Sequence, residues 1–192
     1  MSENAMIQQA ARGSITGFGL HAMLGTLIYA LITGAAGSLY GLSLLIGGPI
    51  SVGYVLFCMK IMDDRTADYN SLFAPFCTLN TFVQTMLAGL IYSVIVALGC
   101  LLLVVPGIIA ALGLSMTFII MAEDDKIEGI DAIQMSWDMM KGHKWELFCL
   151  WCRFIGWALL SILTFGILAL WVEPWTQMST INFYRKLKYN QY

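Results

Sequence analysis

Long stretches without a charged side chain are the feature that most constrains this sequence. No Asp, Glu, Lys or Arg occurs in residues 13–59, 69–122 or 154–172. Because a helix that crosses a bilayer needs about 20 mostly apolar residues, the first two stretches each have room for two such helices. Only 11% of the 192 residues are charged, well below the roughly 25% of soluble domains. The sequence therefore predicts an all-α fold, a polytopic bundle of transmembrane helices in a lipid bilayer.

Turn signals divide these stretches into six helices. The turn-prone residues 37–41 separate the first two helices, Pro106 with Gly107 separates the next two, and a turn near residues 164–167 separates the last two. An alternative turn at Gly99 and Cys100 would make Pro106 a kink within a longer fourth helix. With the first set of turns, a single domain of residues 1–192 holds transmembrane helices over residues 18–37, 42–62, 80–105, 107–122, 147–165 and 167–187.

The most polar internal segment, residues 123–146, has seven acidic residues against three lysines. Its spacing of apolar residues predicts a short cytoplasmic amphipathic helix over about residues 126–141, on the inner membrane surface or under the bundle. The acidic residues lack the spacing of a calcium-binding loop, so no metal site is predicted. The apolar face of this helix consists of Ile130, Ile133, Trp137 and Met140.

Basic residues predict the orientation of the six helices. Nine of the ten fall on the side that also holds both termini, and the turns on the opposite side have none. By the positive-inside rule this side is cytoplasmic. The formal net charge of −2 leaves no cationic excess for binding nucleic acid. The nine residues are Arg12, Lys60, Arg65, Lys126, Lys141, Lys144, Arg185, Lys186 and Lys188.

Arg153 and Glu173 are charged residues well inside predicted transmembrane helices, where charge is costly and usually functional. Their predicted depths differ by roughly 12 Å, so direct pairing needs a shift in register. In the alternative, Arg153 extends to the inner headgroups and Glu173 is protonated or lies near the outer interface. Glu173 also begins a polar face, which should point into the bundle as contacts between helices or as the wall of a solute pathway. The other residues of this face are Thr176, Gln177, Thr180 and Tyr184.

Three prolines predict breaks in the helices: Pro49, Pro106 and Pro174. Pro174 lacks an amide hydrogen and would free the carbonyl of Leu170 one turn earlier. A bent helix that carries an acid beside a free carbonyl is typical of a coordination site in a transporter.

Small residues recur every four positions on the predicted third helix, at Gly89, Ser93 and Ala97. Such a stripe lets a neighbouring helix approach closely. The sequence leaves open whether that neighbour belongs to the same chain or to a second copy in a homo-oligomer.

Motifs for catalysis or cofactor binding do not occur in the sequence. Cys149 and Cys152 form a C-x-x-C pair, but it begins an apolar helix beside the reducing cytoplasm and has no second pair or histidine partners. We therefore interpret them as structural thiols. No hydrolase, nucleotide-binding or zinc-protease motif is found, so the chain is predicted to have no catalytic residues, no cofactor and no enzyme activity.

Several short motifs, in their order and spacing, resemble one family. They include Gly48-Pro49, Val105-Pro106-Gly107-Ile108-Ile109, Met140-Lys141-Gly142, Phe154-Ile155-Gly156-Trp157 and Phe183-Tyr184. The chain resembles the bacterial integral membrane family catalogued as domain of unknown function 975, most strongly from residue 105 to 184. The resemblance implies a multi-pass protein of the bacterial inner membrane without an established activity.

Two functional hypotheses follow from these features. In the first, the bundle binds or transports a small or amphiphilic solute, with Arg153, Glu173 and the Gln177 face lining its interior. In the second, the chain is an accessory or scaffold subunit that docks another membrane protein through its inner-surface helix and small-residue stripe.

Overall fold

The computed structural model describes residues 9, 13, 19–37, 42–102, 104–124, 126–164 and 168–190. Within these residues the regular structure is helical and contains no strand, which confirms the all-α prediction. In chain order it consists of α1 (Gly19–Gly37), α2 (Leu42–Asp63), a 3-10 helix (Tyr69–Phe73), α3 (Ala74–Cys77), α4 (Leu79–Leu102), α5 (Val104–Gly113), α6 (Thr117–Glu123), α7 (Gly129–Met139), α8 (Lys144–Leu163) and α9 (Ala169–Asn190).

The predicted turn at Pro106 and Gly107 does not lie between helices, because α4 ends at Leu102 and α5 begins at Val104, so both residues lie within α5. The other two predicted turns lie mostly outside the described residues. The predicted start at residue 18, most of the first turn (38–41) and the last turn (165–167) lie outside them, as does Arg12. Helix α4 continues through Gly99 and Cys100. Pro106 lies in the first turn of α5, where a missing backbone N–H costs little.

Within the described part of the chain, three stretches are long and apolar enough to cross a membrane: Ile46–Asp63, Leu79–Leu101 and Val105–Glu123. A shorter apolar stretch, Gly19–Gly34, lies within α1. These helices are consistent with membrane localisation. Pro49 and Pro174 both lie inside helices, within α2 and α9 respectively.

Helices α2 and α9 supply much of the buried core. Helix α2 contacts α1, α4, α6 and α9, and α9 in turn packs against α1 and α8. On α2 the side chains of Phe57, Cys58 and Ile61 are fully buried, and Met178 and Ile181 are fully buried on α9. The two helices therefore form the centre around which the others are arranged.

Helix α4 is apolar and yet largely uncovered. Only 11% of the residues of Leu79–Leu101 are buried, and Leu98 and Leu101 are among its most exposed side chains. A large apolar surface of this kind is unfavourable in water but is the ordinary outer surface of a helix in lipid. The exposure of α4 therefore agrees with a lipid-facing position.

The stretch Val105–Glu123 contains a break. Helix α5 ends at Gly113 and α6 begins at Thr117, whereas the sequence predicts one continuous helix over residues 107–122. The Ser136 hydroxyl of α7 donates to the Gly113 carbonyl oxygen at 3.0 Å and accepts from the Met116 N–H at 3.2 Å. Because one side chain binds backbone groups on both sides of the break, the interruption does not leave them unpaired.

Replacing Ser136 should therefore destabilise the fold. In Ser136→Ala, a buried carbonyl and a buried N–H lose their partner, at an expected cost of about 1–3 kcal/mol. Thermal unfolding of the purified protein in detergent measures the change. Ser93→Ala is the matched control, because the Ser93 hydroxyl donates only to the Leu90 carbonyl of its own helix. Equal unfolding temperatures for the two variants would contradict this role of Ser136.

Helix α7 packs through small residues. Its buried residues are Gly129, Ala132, Ser136 and Met139, and it contacts α4, α5 and α6. The Gly129 N–H donates to Oε1 of Gln84 at 3.0 Å. Of the predicted apolar face, Met140 is fully buried, Ile133 is partly buried, and Ile130 and Trp137 are exposed.

Ion pairs join four helix termini at one end of the bundle. Arg185 donates to both carboxylate oxygens of Asp63, the last residue of α2, at 2.7 and 2.5 Å. Lys188 contacts Glu123, the last residue of α6, at 2.6 Å. Lys186 of α9 lies 3.6 Å from Glu146 near the start of α8. We call this group of residues, with Tyr184, the charged end.

The loop after α2 is held by a second cluster of polar contacts. Lys60 donates to Asp68 at 2.7 Å, and Asp68 caps the 3-10 helix by accepting from the Asn70 N–H. These two hydrogen bonds lower the pKa of the Asp68 carboxyl group from its usual value. Because the pKa is lowered in the folded state, these contacts of Asp68 stabilise the fold above the usual carboxyl pKa. Their contribution to the free energy of unfolding is lost as the pH falls through the lowered pKa.

Candidate functional site

A cavity of about 230 Å³ lies among α1, α2, α4, α6, α8 and α9. We call it the Glu173 cavity. Its described lining combines one acid, five aromatic residues, five residues with hydroxyl or amide groups, and two aliphatic residues. In that order they are Glu173; Tyr29, Tyr54, Tyr92, Phe118 and Trp151; Ser51, Ser115, Thr176, Gln177 and Thr180; Val55 and Ile119.

The polar face of α9 turns toward this cavity. Of the six candidate site residues, Glu173, Thr176, Gln177 and Thr180 line it. They share one side of α9 because residues three, four and seven apart align on a helix. The structure therefore brings four of the six together.

Arg153 and Tyr184 lie elsewhere. Arg153 is exposed on α8 and is not among the described lining residues of the cavity. The Tyr184 hydroxyl donates to Glu123 at 2.5 Å and so belongs to the charged end. Neither residue is among the described residues that form the wall of the Glu173 cavity.

The Glu173 carboxylate has no positively charged partner among the described residues. It makes no hydrogen bond or ion pair with another described residue, and no Lys, Arg or His occurs in the described cavity lining. The Glu173 side chain is not enclosed by the protein on every side. An ionised carboxylate in an apolar bundle is costly unless water or a positive partner compensates it.

Four serine and threonine hydroxyls of the lining have already used their hydrogens, whereas the buried Trp151 indole N–H has no hydrogen-bond partner among the described residues. Ser51 donates to the Gly47 carbonyl at 2.7 Å, Ser115 to that of Leu112 at 2.8 Å, and Thr176 and Thr180 to carbonyls one turn earlier at 2.9 Å. Each oxygen then retains only acceptor capacity. These four residues consequently offer the cavity lone pairs rather than hydrogens.

Aromatic rings surround the remaining space. Tyr29 and Tyr54 stack with ring centroids 4.6 Å apart, and Tyr92 packs against Phe118 at 5.4 Å. The Tyr54 hydroxyl lies 3.0 Å from Oγ1 of Thr26, which itself donates to a backbone carbonyl, so Tyr54 is the donor of that pair. These contacts fix the rings before any ligand enters.

Both prolines inside helices lie beside the cavity. Pro174 follows Glu173 directly, and Pro49 lies two residues before Ser51. A proline within a helix removes one backbone hydrogen bond and weakens the turn around it. The two weakened turns therefore lie next to lining residues of the cavity, one turn on α9 and the other on α2.

Sequence reasoning did not identify the lining residues outside α9. Ser51, Tyr54 and Val55 follow helical spacing on α2 and could have been recognised as a mixed face. Tyr29, Tyr92 and Trp151 are aromatic residues of largely apolar helices and carry no comparable signal. No group of three or more His, Cys, Asp or Glu residues suited to a metal ion occurs within the described part of the chain.

The fold and the cavity define an all-helical protein with apolar helices of membrane-spanning length and a polar interior site. The profile of the family described as "Protein of unknown function (DUF975)" matches residues 92–191, and the chain belongs to this family. The match includes α9 and nine of the thirteen described lining residues of the cavity, whereas the resembling motif at Gly48-Pro49 precedes it. Comparisons with curated proteins and with solved structures find no similar chain.

Proposed function

We propose that this chain is a multi-pass protein of the bacterial inner membrane that binds and transports a small solute through the Glu173 cavity. The observation that supports it is the meeting of an uncompensated carboxylate, acceptor hydroxyls and aromatic rings in one cavity of about 230 Å³. Pockets for drug-sized ligands have volumes of about 300–1,000 Å³. The cavity therefore suits a solute smaller than these.

In the proposed topology the six crossings are α1, α2, α4, α5 with α6, α8 and α9, and both termini are cytoplasmic. The charged end supports it, since it gathers the ends of α2, α6 and α9 with the start of α8. At 1.5 Å per residue, the 20 residues of α8 extend about 30 Å, the thickness of the hydrocarbon core.

Labelling of single cysteines tests this topology. In a cysteine-free background, Lys141→Cys should react with a membrane-impermeant maleimide only after the cells are permeabilised, because Lys141 is an exposed residue of a proposed cytoplasmic segment. Ser38→Cys, in the proposed outer turn, should react in intact cells. Labelling of Lys141→Cys from outside intact cells would contradict the proposed orientation.

Solute binding can be tested by filling the cavity. A panel of small cationic, neutral and anionic solutes should raise the unfolding temperature of the purified protein for at least one class, since a ligand at 100 times its Kd adds about 2.7 kcal/mol of stability. Gln177→Trp, which places a larger side chain in the cavity, should remove that increase. Gln134→Trp is the control, because Gln134 is exposed on α7 and is not among the described lining residues.

If no solute stabilises the protein and another membrane protein co-purifies in a fixed ratio, an accessory or scaffold role would replace the transport proposal.

A further inference from the structure

We propose that the Glu173 cavity recognises a small organic cation, either a protonated amine or a quaternary ammonium ion. This inference rests on the proposed function, since it names the class of solute that the cavity binds. It is carried by two independent properties of the lining, its charge and its aromatic faces, and four hydroxyl oxygens of the lining can accept hydrogen bonds from such a solute.

The charge of the lining selects for a positive solute. Glu173 supplies a carboxylate, and the described lining has no basic side chain to balance it. In a bundle of low dielectric, an anionic solute would be repelled by this group, and a neutral one would leave it uncompensated. A cation removes both costs at once.

The aromatic residues select for an organic cation. The negative face of an aromatic ring attracts ammonium groups, and several rings together recognise quaternary ammonium ions. The stacked pair of Tyr29 and Tyr54 and the packed pair of Tyr92 and Phe118 supply such rings from four helices. A divalent metal ion would instead require about six oxygen ligands with more than one carboxylate.

Four hydroxyl oxygens of the lining can accept hydrogen bonds from a solute, while the Trp151 indole N–H, unpaired within the described part of the chain, can donate one. The hydroxyls of Ser51, Ser115, Thr176 and Thr180 each donate to a backbone carbonyl, so their oxygens accept. The N–H groups of a protonated amine can donate to them, whereas the oxygens of an anion cannot. The volume of about 230 Å³ equals that of seven or eight water molecules, which restricts the solute to a compact head group.

The experiment compares choline with 3,3-dimethylbutan-1-ol, which has the same shape without the charge. Binding of radiolabelled choline to the purified full-length protein in detergent is measured with each compound as a competitor. Unlabelled choline and tetramethylammonium should displace the label at least 10-fold more effectively than the neutral alcohol. Pivalate, an anion with a similar tertiary-butyl group, should not displace it.

Matched variants assign the binding to the cavity. Glu173→Gln should weaken choline binding about 10- to 100-fold, as expected for the loss of a charged partner, and Glu173→Asp should retain most of it. Tyr92→Leu, which removes the ring, should weaken choline binding more than Tyr92→Phe, which keeps it. Arg153→Gln, which changes a charge outside the described lining, should bind choline like the parent. Size-exclusion profiles and unfolding temperatures confirm that each variant is folded.

Two failures can be told apart. If the neutral alcohol competes as well as choline, and folded Glu173→Gln binds like the parent, the cavity binds solutes but the assignment to organic cations is wrong. If no compound of any charge binds or stabilises the parent, the proposed solute-binding function is wrong, and the inference is wrong with it.

Discussion

Glu173→Gln is expected to abolish the movement of choline across a membrane that contains this protein. The variant preserves the size of the side chain and removes the one negative charge of the described lining. Without that charge, a cation that enters the bundle has only ring faces and hydroxyl oxygens to replace its hydration, and entry becomes costly. We expect counterflow of radiolabelled choline into proteoliposomes to fall at least 10-fold, to the level of empty liposomes.

Controls for this measurement come from the same helices. Arg153→Gln changes a charge on α8 outside the described lining and should leave counterflow unchanged, while Glu173→Asp should preserve a measurable fraction of it. If the parent binds choline in detergent but shows no counterflow, the cavity is a binding site rather than part of a pathway. If Glu173→Gln transports like the parent, Glu173 has no part in solute movement.

The polar face of α9 shows what sequence can predict about such a site. Glu173, Thr176, Gln177 and Thr180 are close in sequence, so helical periodicity alone places them together. Tyr184 continues the same face, but it lies close to the end of the helix and binds Glu123 there. Periodicity predicts which side of a helix is polar, but it does not predict where along that side the cavity ends.

The partners of α9 could not be predicted in this way. Tyr29, Tyr92 and Trp151 come from three different helices, and their meeting depends on how those helices pack. The break at residues 114–116 has the same origin, because the hydroxyl that stabilises it belongs to Ser136, 20 residues beyond Met116. Contacts between distant residues leave no periodic signal in a single sequence.

Helix α7 illustrates a further limit that is specific to lipid. Two residues of its predicted apolar face, Ile130 and Trp137, are exposed, although Met140 of that face is buried. The small residues Ala132 and Ser136 are buried against neighbouring helices. In water the larger apolar face would be expected to pack inward. Because lipid is as apolar as a protein core, hydrophobicity does not distinguish the outer face of a membrane-associated helix from its buried face.

The sequence predicts the small-residue stripe on α4 but not the helix that packs against it. The structure shows that α2 packs against one end of the stripe. Gly89 lies against the backbone of Gly48 in α2 of the same chain. Ser93 is half-buried and Ala97 is exposed, so the close approach is concentrated at the Gly89 end. Glycine is required there because a Cβ atom on either residue would overlap the backbone of the other helix.

The second large effect is therefore expected from an added methyl group at this crossing. In Gly48→Ala, the new Cβ would collide with the Thr85 carbonyl oxygen, a backbone atom that cannot move aside without separating α2 from α4. Overpacking of this kind costs about 1–3 kcal/mol, and Gly48→Leu should cost more. We expect a marked loss of monodisperse protein in size-exclusion chromatography and a lower unfolding temperature in detergent.

The adjacent glycine provides the control. A Cβ at Gly47 meets nothing within 4 Å, so Gly47→Ala should leave stability unchanged or raise it by up to about 1 kcal/mol through helix propensity. Gly89→Ala should resemble Gly48→Ala, because its Cβ would lie 2.7 Å from the Gly48 Cα. The difference between the two neighbouring alanines isolates the helix crossing from propensity, since both substitutions alter the same turn of α2. Equal behaviour of Gly47→Ala and Gly48→Ala would show that α2 and α4 do not meet at this point.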